Sequence, residues 1–261
     1  MIKINSKIVE QFTFPGGEVN IRLPVVKPPF NVTAWLQSSD DVMALCLVSD
    51  ALKRQYDGTI KTLTIPYFPY ARQDRVCSTG EALSKQVMIN LISSMVSASK
   101  IVTYDIHSGS MYPAYTVRSL NDMAESLPFL DDSRLILVAP DEGATRKVNK
   151  LADEYELEVL QGVKVRDPVT GNLSGFKMIN PDHITGYDLM IVDDICDGGG
   201  TFLGLGAEIL KYKPASLSLY VTHGIFSKGL DALCDMFDHV YSTDTYLHGL
   251  THPKYTQLEV L

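Results

Sequence analysis

No apolar stretch in the chain reaches about 18 residues, the length a membrane-crossing helix needs. Met1 to Glu10 lacks the long apolar core of a secretory signal. Cysteine is sparse. The four thiols, at positions 46, 77, 196 and 234, form no Cys-x-x-Cys pair and fit no zinc-site spacing. Dispersed thiols without a signal segment lead us to expect a cytoplasmic protein with reduced, buried or incidental cysteines. Basic charge is also in deficit: 23 Lys and Arg stand against 31 Asp and Glu, a net charge of −8. That argues against a general nucleic-acid backbone binder, while leaving room for a local basic pocket. No repeat, low-complexity tract or long linker interrupts the 261 residues. What remains is ordinary globular composition, 45% apolar and 21% charged, enough for one large domain or two small ones.

Short apolar runs recur with the look of buried parallel strands: Val42 to Val48, Thr62 to Ile65, Lys100 to Tyr104, Leu135 to Val138, Leu189 to Val192 and Ser216 to Val221. Helical patterns lie between them. Leu83, Val87, Asn90, Leu91 and Met95 share one helical face, and Ala144 to Glu154 and Phe202 to Lys211 are further helices. The alternation predicts an α/β fold with a mostly parallel sheet. Ligands of such sheets gather beyond the carboxyl ends of the strands, so each run is read at its C-terminal edge.

Four edges carry chemistry. After Leu135 to Val138 comes Ala139-Pro140-Asp141-Glu142-Gly143-Ala144-Thr145-Arg146-Lys147: a carboxylate pair, a glycine, and a helix start with basic residues. This suits a phosphate or metal-phosphate ligand, or equally an acidic helix cap with a solvated basic face. After Leu189 to Val192 comes Asp193-Asp194-Ile195-Cys196-Asp197-Gly198-Gly199-Gly200-Thr201. Three glycines expose consecutive amides, a nest for a phosphate, and Thr201 adds a hydroxyl. The acid pair would repel that phosphate, so it calls for sugar hydroxyls or Mg²⁺. A phosphorylated sugar satisfies both halves; the plainer alternative is a tight turn with capping aspartates. No Gly-Lys-Ser/Thr follows, so this is not a Walker A loop. After Thr62 to Ile65, Arg72, Gln73, Asp74 and Arg75 follow an aromatic cluster; such arginines clamp phosphates, or decorate a surface loop. After Lys100 to Tyr104 comes His107, by itself more often structural than ligating, but placed at the same edge.

Together these segments resemble the ribose-phosphate pyrophosphokinase family. The matching strings are Phe14-Pro15-Gly16-Gly17-Glu18, Tyr70-Ala71-Arg72-Gln73-Asp74-Arg75, Asp105-Ile106-His107-Ser108, Pro140-Asp141-Glu142-Gly143 with Arg146, and Val192 to Thr201, in the family's order. The second string is specific; the Asp-Asp loop is shared with phosphoribosyltransferases. Gly198 stands where the family has Thr, and Val76-Cys77-Ser78-Thr79 replace its basic run.

The resemblance implies an α/β fold of two phosphoribosyltransferase-like domains, each with a mostly parallel sheet flanked by helices, over residues 1–125 and 126–261. It implies Mg²⁺-dependent transfer of the pyrophosphoryl group of ATP to the 1-hydroxyl of ribose 5-phosphate, giving phosphoribosyl pyrophosphate and AMP. Asp197, Gly198, Gly199, Gly200 and Thr201 would hold the sugar phosphate, and Asp193 and Asp194 the ribose hydroxyls. Arg72, Gln73, Asp74, Arg75 and Arg146 would bind ATP. Phe14 and Glu18 would reach the adenine of a neighbouring subunit, which implies a homo-oligomer. His107 and Asp141 would lie beside metal. Lys164 and Arg166 resemble a mobile catalytic loop; their own pattern reads as a solvated basic strand. Pro168 and Gly171 beyond them point to a loop rather than a regular hairpin. With Arg72, these cations would meet the transition-state charge. Two other readings share parts of the pattern: a phosphoribosyltransferase, and a non-catalytic protein that regulates a synthetase.

Overall fold

Strands and helices alternate along the chain, and the strands sort into two large sheets and one hairpin. The computed structural model describes residues 1–108, 115–130, 134–166, 173–181 and 183–261, with only the backbone of Arg166 and Leu173. Two compact units result, Met1–Ser119 and Leu120–Leu261.

The first unit runs β1 (Ile2–Ile4), β2 (Lys7–Ile8), β3 (Glu10–Thr13), β4 (Val19–Arg22), β5 (Phe30–Ala34), α1 (Ser39–Tyr56), β6 (Ile60–Thr64), α2 (Ser84–Met95), β7 (Ala98–Tyr104) and β8 (Tyr115–Arg118). Its sheet order is β2-β1-β5-β6-β7-β8, parallel from β5 to β8, with β1 antiparallel to both its neighbours. β3 and β4 form a separate hairpin, and Val19 and Ile21 of β4 pack against the core. That core holds Ile4, Val32, Leu45, Leu52, Ile60 and Leu63 at full burial or nearly so. Each such side chain contributes roughly 1.5–3 kcal/mol relative to exposure.

Two expectations fail here. Val42 to Val48 is not a strand; it lies inside the 18-residue helix α1. Ser38 caps that helix through the Asp41 amide, Asp40 and Asp41 occupy its first turn, and Lys53 and Arg54 its last. These terminal signals match the helix dipole and outweigh the β-like look of the run. In α2 the apolar face identified from sequence is the outer one. Val87 and Met95 are well exposed, whereas Met88, Ile89 and Ile92 face the core. The helix carries two apolar stripes, and the outer one lines a groove with Val42 and Met43 of α1 and Tyr70.

The second unit begins with a 3₁₀ turn, Asn121–Ser126, then β9 (Leu135–Ala139), α3 (Glu142–Tyr155), β10 (Glu158–Arg166), β11 (Leu173–Met178), β12 (Asp188–Cys196), α4 (Gly200–Ile209), β13 (Ser216–Gly224), α5 (Asp231–Met236), β14 (His239–Thr243) and β15 (Tyr255–Leu258). The sheet order is β11-β10-β9-β12-β13-β14-β15, all parallel except β11 on β10. β9 connects through α3 to β10 on one side, and the later strands continue on the other. The strand order therefore reverses between β9 and β12, where α/β sheets open a crevice at their carboxyl ends. Leu137, Val138, Leu189, Ile191, Val192, Leu217 and Leu219 are fully buried, as strands covered on both faces require.

Candidate active site at the strand ends

β12 runs past Val192 through Cys196, so Asp193 and Asp194 belong to the strand rather than following it. β9 and β12 pair in parallel from Asp188–Leu135 to Ile191–Val138. Continuing that register sets the acid pair level with the chain as it leaves β9 for α3. Asp194 is 4% exposed, and its amide donates to Asp193 Oδ1 at 2.9 Å. Lys147 of α3 brings Nζ to 4.0 Å from Asp194 Oδ2. Burial first, and the Asp194 carboxylate second, push the Asp193 carboxyl well above the usual carboxylate range. Two adjoining carboxyls, Asp194 buried and Asp193 half-buried, with one lysine at that distance leave negative charge to be met, so the pair fits a divalent cation or hydroxyl donors.

The nest comes next along the chain. Gly199 is the N-cap of α4 at φ +76°, a left-handed conformation that glycine adopts without strain. A Cβ there would also meet Leu233 Cδ2 at 3.2 Å. No side chain caps this helix start and no acid occupies its first turn. The amides of Gly200 and Thr201 therefore retain the partial positive charge that draws anions. Asp197, Gly198 and Thr201 are half-buried at the rim.

Asp141 caps α3 from the end of β9, its Oδ1 accepting from the Ala144 amide at 3.2 Å. Glu142 and Gly143 are thus already helical. Asp141 Oδ2 accepts from Lys164 Nζ at 2.7 Å. Burial raises the Asp141 carboxyl, but the Lys164 hydrogen bond and charge, with the Ala144 and Gly143 amides, outweigh it and hold the pKa below the usual value. Both oxygens are engaged, so a cation at Asp141 would have to compete with Lys164. Lys164 and Arg166 do not precede a paired region; they lie within β10, opposite Phe176 and Leu173 of β11, with the register shifting between Val165 and Arg166. This agrees with the reading of Lys164 and Arg166 as a basic strand and differs from the expectation of a loop in place of a regular hairpin. Pro168 and Gly171 lie outside the described residues, as does the side chain of Arg166. Arg146 is exposed on α3.

In the first unit, Arg72, Gln73, Asp74 and Arg75 form an exposed segment after β6, and His107 is exposed after β7. The two segments are joined. Ser108 Oγ donates to Asp74 Oδ2, and Lys85 Nζ donates to Ser108 O. The Lys85 amide donates to Gln73 O at 3.2 Å. The Ser108 hydrogen bond holds the Asp74 carboxyl below its usual value despite opposing desolvation, with help from the charges of His107 and Lys85. Lys85 is 7% exposed, and burial lowers its pKa. Sequence reasoning missed this lysine. Its signal was there: Lys85 falls in step with Met88, Ile89 and Ile92, a charge on the buried stripe of α2. Phe14 and Glu18 sit on another element, the exposed tip of the β3–β4 hairpin, where Gly17 turns at φ +94°. Among the described residues, no three His, Cys, Asp or Glu side chains gather as a metal cage. That is compatible with Mg²⁺, which takes one or two carboxylates and fills its shell with phosphate oxygens and water. Among the same residues no helix is long and apolar enough to cross a membrane.

Comparison with known proteins adds a family. Residues 6–95 match the model for the N-terminal domain of ribose phosphate pyrophosphokinase. A ribose-phosphate pyrophosphokinase of Hyphomonas neptunium is 30% identical over 217 residues, which cover 80% of this chain and 68% of that protein. One from Maricaulis maris is 31% identical over 204 residues, covering 76% and 64%. The chain thus spans about two thirds of the length of these curated relatives. A crystal structure of phosphoribosylpyrophosphate synthetase from Mycobacterium smegmatis superposes with a TM-score of 0.80 over 97% of this chain and 86% of that one, at 21% identity, which establishes the same fold. Sequence and fold thus agree with the resemblance drawn from the motifs, and the chain belongs to the ribose-phosphate pyrophosphokinase family.

Proposed function

We propose that the protein transfers the pyrophosphoryl group of ATP to the 1-hydroxyl of ribose 5-phosphate, giving phosphoribosyl pyrophosphate and AMP for nucleotide biosynthesis. The observation that carries the reading is the end of β12, where an acid pair, half-buried at Asp193 and buried at Asp194, runs into a glycine nest opening α4, in a chain of this family. One half is suited to hydroxyls or a cation, the other to a phosphate. The 5-phosphate then lies on the amides from Asp197 to Thr201, and Asp193 and Asp194 accept from the ribose hydroxyls. Arg72, Gln73, Asp74, Arg75 and Arg146 take ATP, with Phe14 and Glu18 contributed across a homo-oligomeric contact. In phosphoryl-type transfer the protein mainly positions the reactants and stabilises charge. Lys164, Arg166 and Arg72 supply that charge, and a closed site keeps water from competing with the sugar as nucleophile. Mg²⁺, when bound near His107 and Asp141 or at the acid pair, would neutralise phosphate oxygens. The four cysteines are free thiols, as a reducing compartment keeps them, and we place the protein in the cytoplasm.

Incubating the purified chain with ribose 5-phosphate, ATP and Mg²⁺ and assaying AMP and phosphoribosyl pyrophosphate tests the reading. Both products should appear in equal amounts. Nucleotide binding without turnover would turn the assignment into a regulatory one.

A further inference from the structure

The loop after β13 bears on the phosphate nest, and its role rests on the proposal that this nest holds the 5-phosphate of the sugar. β13 runs parallel to β12, so the chain leaves both strands at the same edge of the sheet. Backbone hydrogen bonds pin the β13 loop to the nest. The amides of Ile225 and Phe226 donate to Cys196 O at 2.9 and 3.1 Å, and the Ser227 amide donates to Asp197 O at 3.2 Å. The next residue, Lys228, is thereby laid against Gly198. A Cβ on Gly198 would stand 3.8 Å from Lys228 Cγ, 3.6 Å from Cδ and 3.4 Å from Cε. The distances shorten along the side chain, and the ammonium is one bond beyond the closest of them. The residue as a whole is exposed.

Charge decides what this lysine can do. Asp193, Asp194 and Asp197 crowd the end of β12, and a sugar phosphate adds about two more negative charges at neutral pH. Helix-start amides offer partial charges only. The nearby cations are committed: Lys164 to Asp141 at 2.7 Å, and Lys147 toward Asp194 at 4.0 Å. Lys228 has no ion pair among the described residues and is held at the nest by its own loop. We propose that Lys228 is a phosphate-binding residue, its stem crossing the bare α-carbon of Gly198 so that its ammonium pairs with the phosphate of the sugar substrate. At 3.4–3.8 Å even a Cβ on Gly198 would make only ordinary contact with that stem, so the lysine lies alongside the nest without crowding it.

The test titrates the full chain with ribose 5-phosphate, and separately with ATP, by calorimetry. Lys228→Met keeps the stem and removes the charge. It should weaken ribose 5-phosphate binding about 10-fold or more, as loss of a charge-assisted hydrogen bond does, without moving ATP affinity. Lys228→Arg should recover most of the loss. Unchanged ribose 5-phosphate affinity in Lys228→Met, with wild type binding normally, overturns the role of Lys228 and leaves the nest reading intact. A matching loss of ATP affinity also overturns it. A folded wild type that does not bind ribose 5-phosphate overturns the nest reading and this inference together.

Discussion

Lys164 on β10 and Asp141 at the start of α3 are joined by a 2.7 Å hydrogen-bonded ion pair that ties the edge of the parallel sheet to the helix beside the acid pair. The pair holds the lysine in place without burying it, since both side chains are about a third exposed. If its ammonium stabilises the transition state, Lys164→Ala should lower kcat at saturating substrates by about 100-fold, roughly 2.7 kcal/mol. Near wild-type kcat would remove Lys164 from the catalytic set. The pair itself should add less than about 1 kcal/mol of stability, given its exposure. Because the Asp141 pKa is lowered on folding, that contribution is present above the ordinary carboxylate pKa and lost as pH falls through the folded value. Thermal melts of Lys164→Ala against wild type should therefore differ at neutral pH and converge in acid.

Asp193 has the opposite sign. Its carboxyl is pushed up, so the fold pays for its ionised form. The penalty is absent below the unfolded pKa, grows as pH rises toward the folded pKa, and is complete above it. Asp193→Asn should raise the melting temperature of the ligand-free protein at the alkaline end of its stable range, and the advantage should shrink as pH is lowered. The same variant should lose most activity. A melting difference independent of pH would show that Asp193 is not ionised under strain.

Gly199 is a backbone position with no room for change. A side chain at φ +76° costs roughly 1–2 kcal/mol, before the Leu233 contact is counted. Gly199→Val should raise the KM for ribose 5-phosphate much more than that for ATP. An unchanged sugar KM would exclude this turn from the phosphate site.

If the Arg72 to Arg75 segment takes ATP, as proposed, Lys85 bears on that substrate. Lys85→Met keeps the buried stem but removes the ammonium from the Ser108 carbonyl, so the His107 segment loses its tie to α2 and keeps only the Ser108–Asp74 hydrogen bond. We expect a KM for ATP several-fold higher, with the sugar KM much less affected, and Lys85→Arg a partial rescue. A lower melting temperature with both KM values intact would make Lys85 purely structural.

Assembly is open to a mixing experiment. Glu18 lies on the hairpin tip and Arg72 after β6, and the proposed ATP site draws them from different copies. A Glu18→Ala chain mixed with an Arg72→Ala chain should recover part of the activity that each lacks alone. Full activity from a demonstrated monomer would refute a shared site.

Much of the fold is readable in the sequence because parallel strands, covered on both faces, are plain apolar runs. Leu189 to Val192 and Ser216 to Val221 fall inside β12 and β13. The runs also point to their own carboxyl ends, where the candidate site residues lie. Length and periodicity mislead where a helix is apolar on more than one side. The stretch around Leu45 reads as a strand, and α2 is turned inside out. Edge and hairpin elements such as β3, β4 and β11 offer no continuous run to find. Lys228 is invisible for another reason: what singles it out is a contact with a residue thirty positions away that has no side chain.

The reversal of strand order at β9 and β12 also has a kinetic consequence. In the first unit, β5 to β8 line up in the order of synthesis, so each new strand adds beside the last. In the second, β12 must dock on the far side of β9 after β10 has taken the near side, closing a long chain loop before any contact rewards it. The acid pair and the nest cannot be assembled until that docking is done. Amide protection in a pulsed hydrogen-exchange experiment should then appear at β6 and β7 before β12, and ribose 5-phosphate should not speed the early phase. On that account, competence to hold the sugar phosphate reports that the second unit has finished folding.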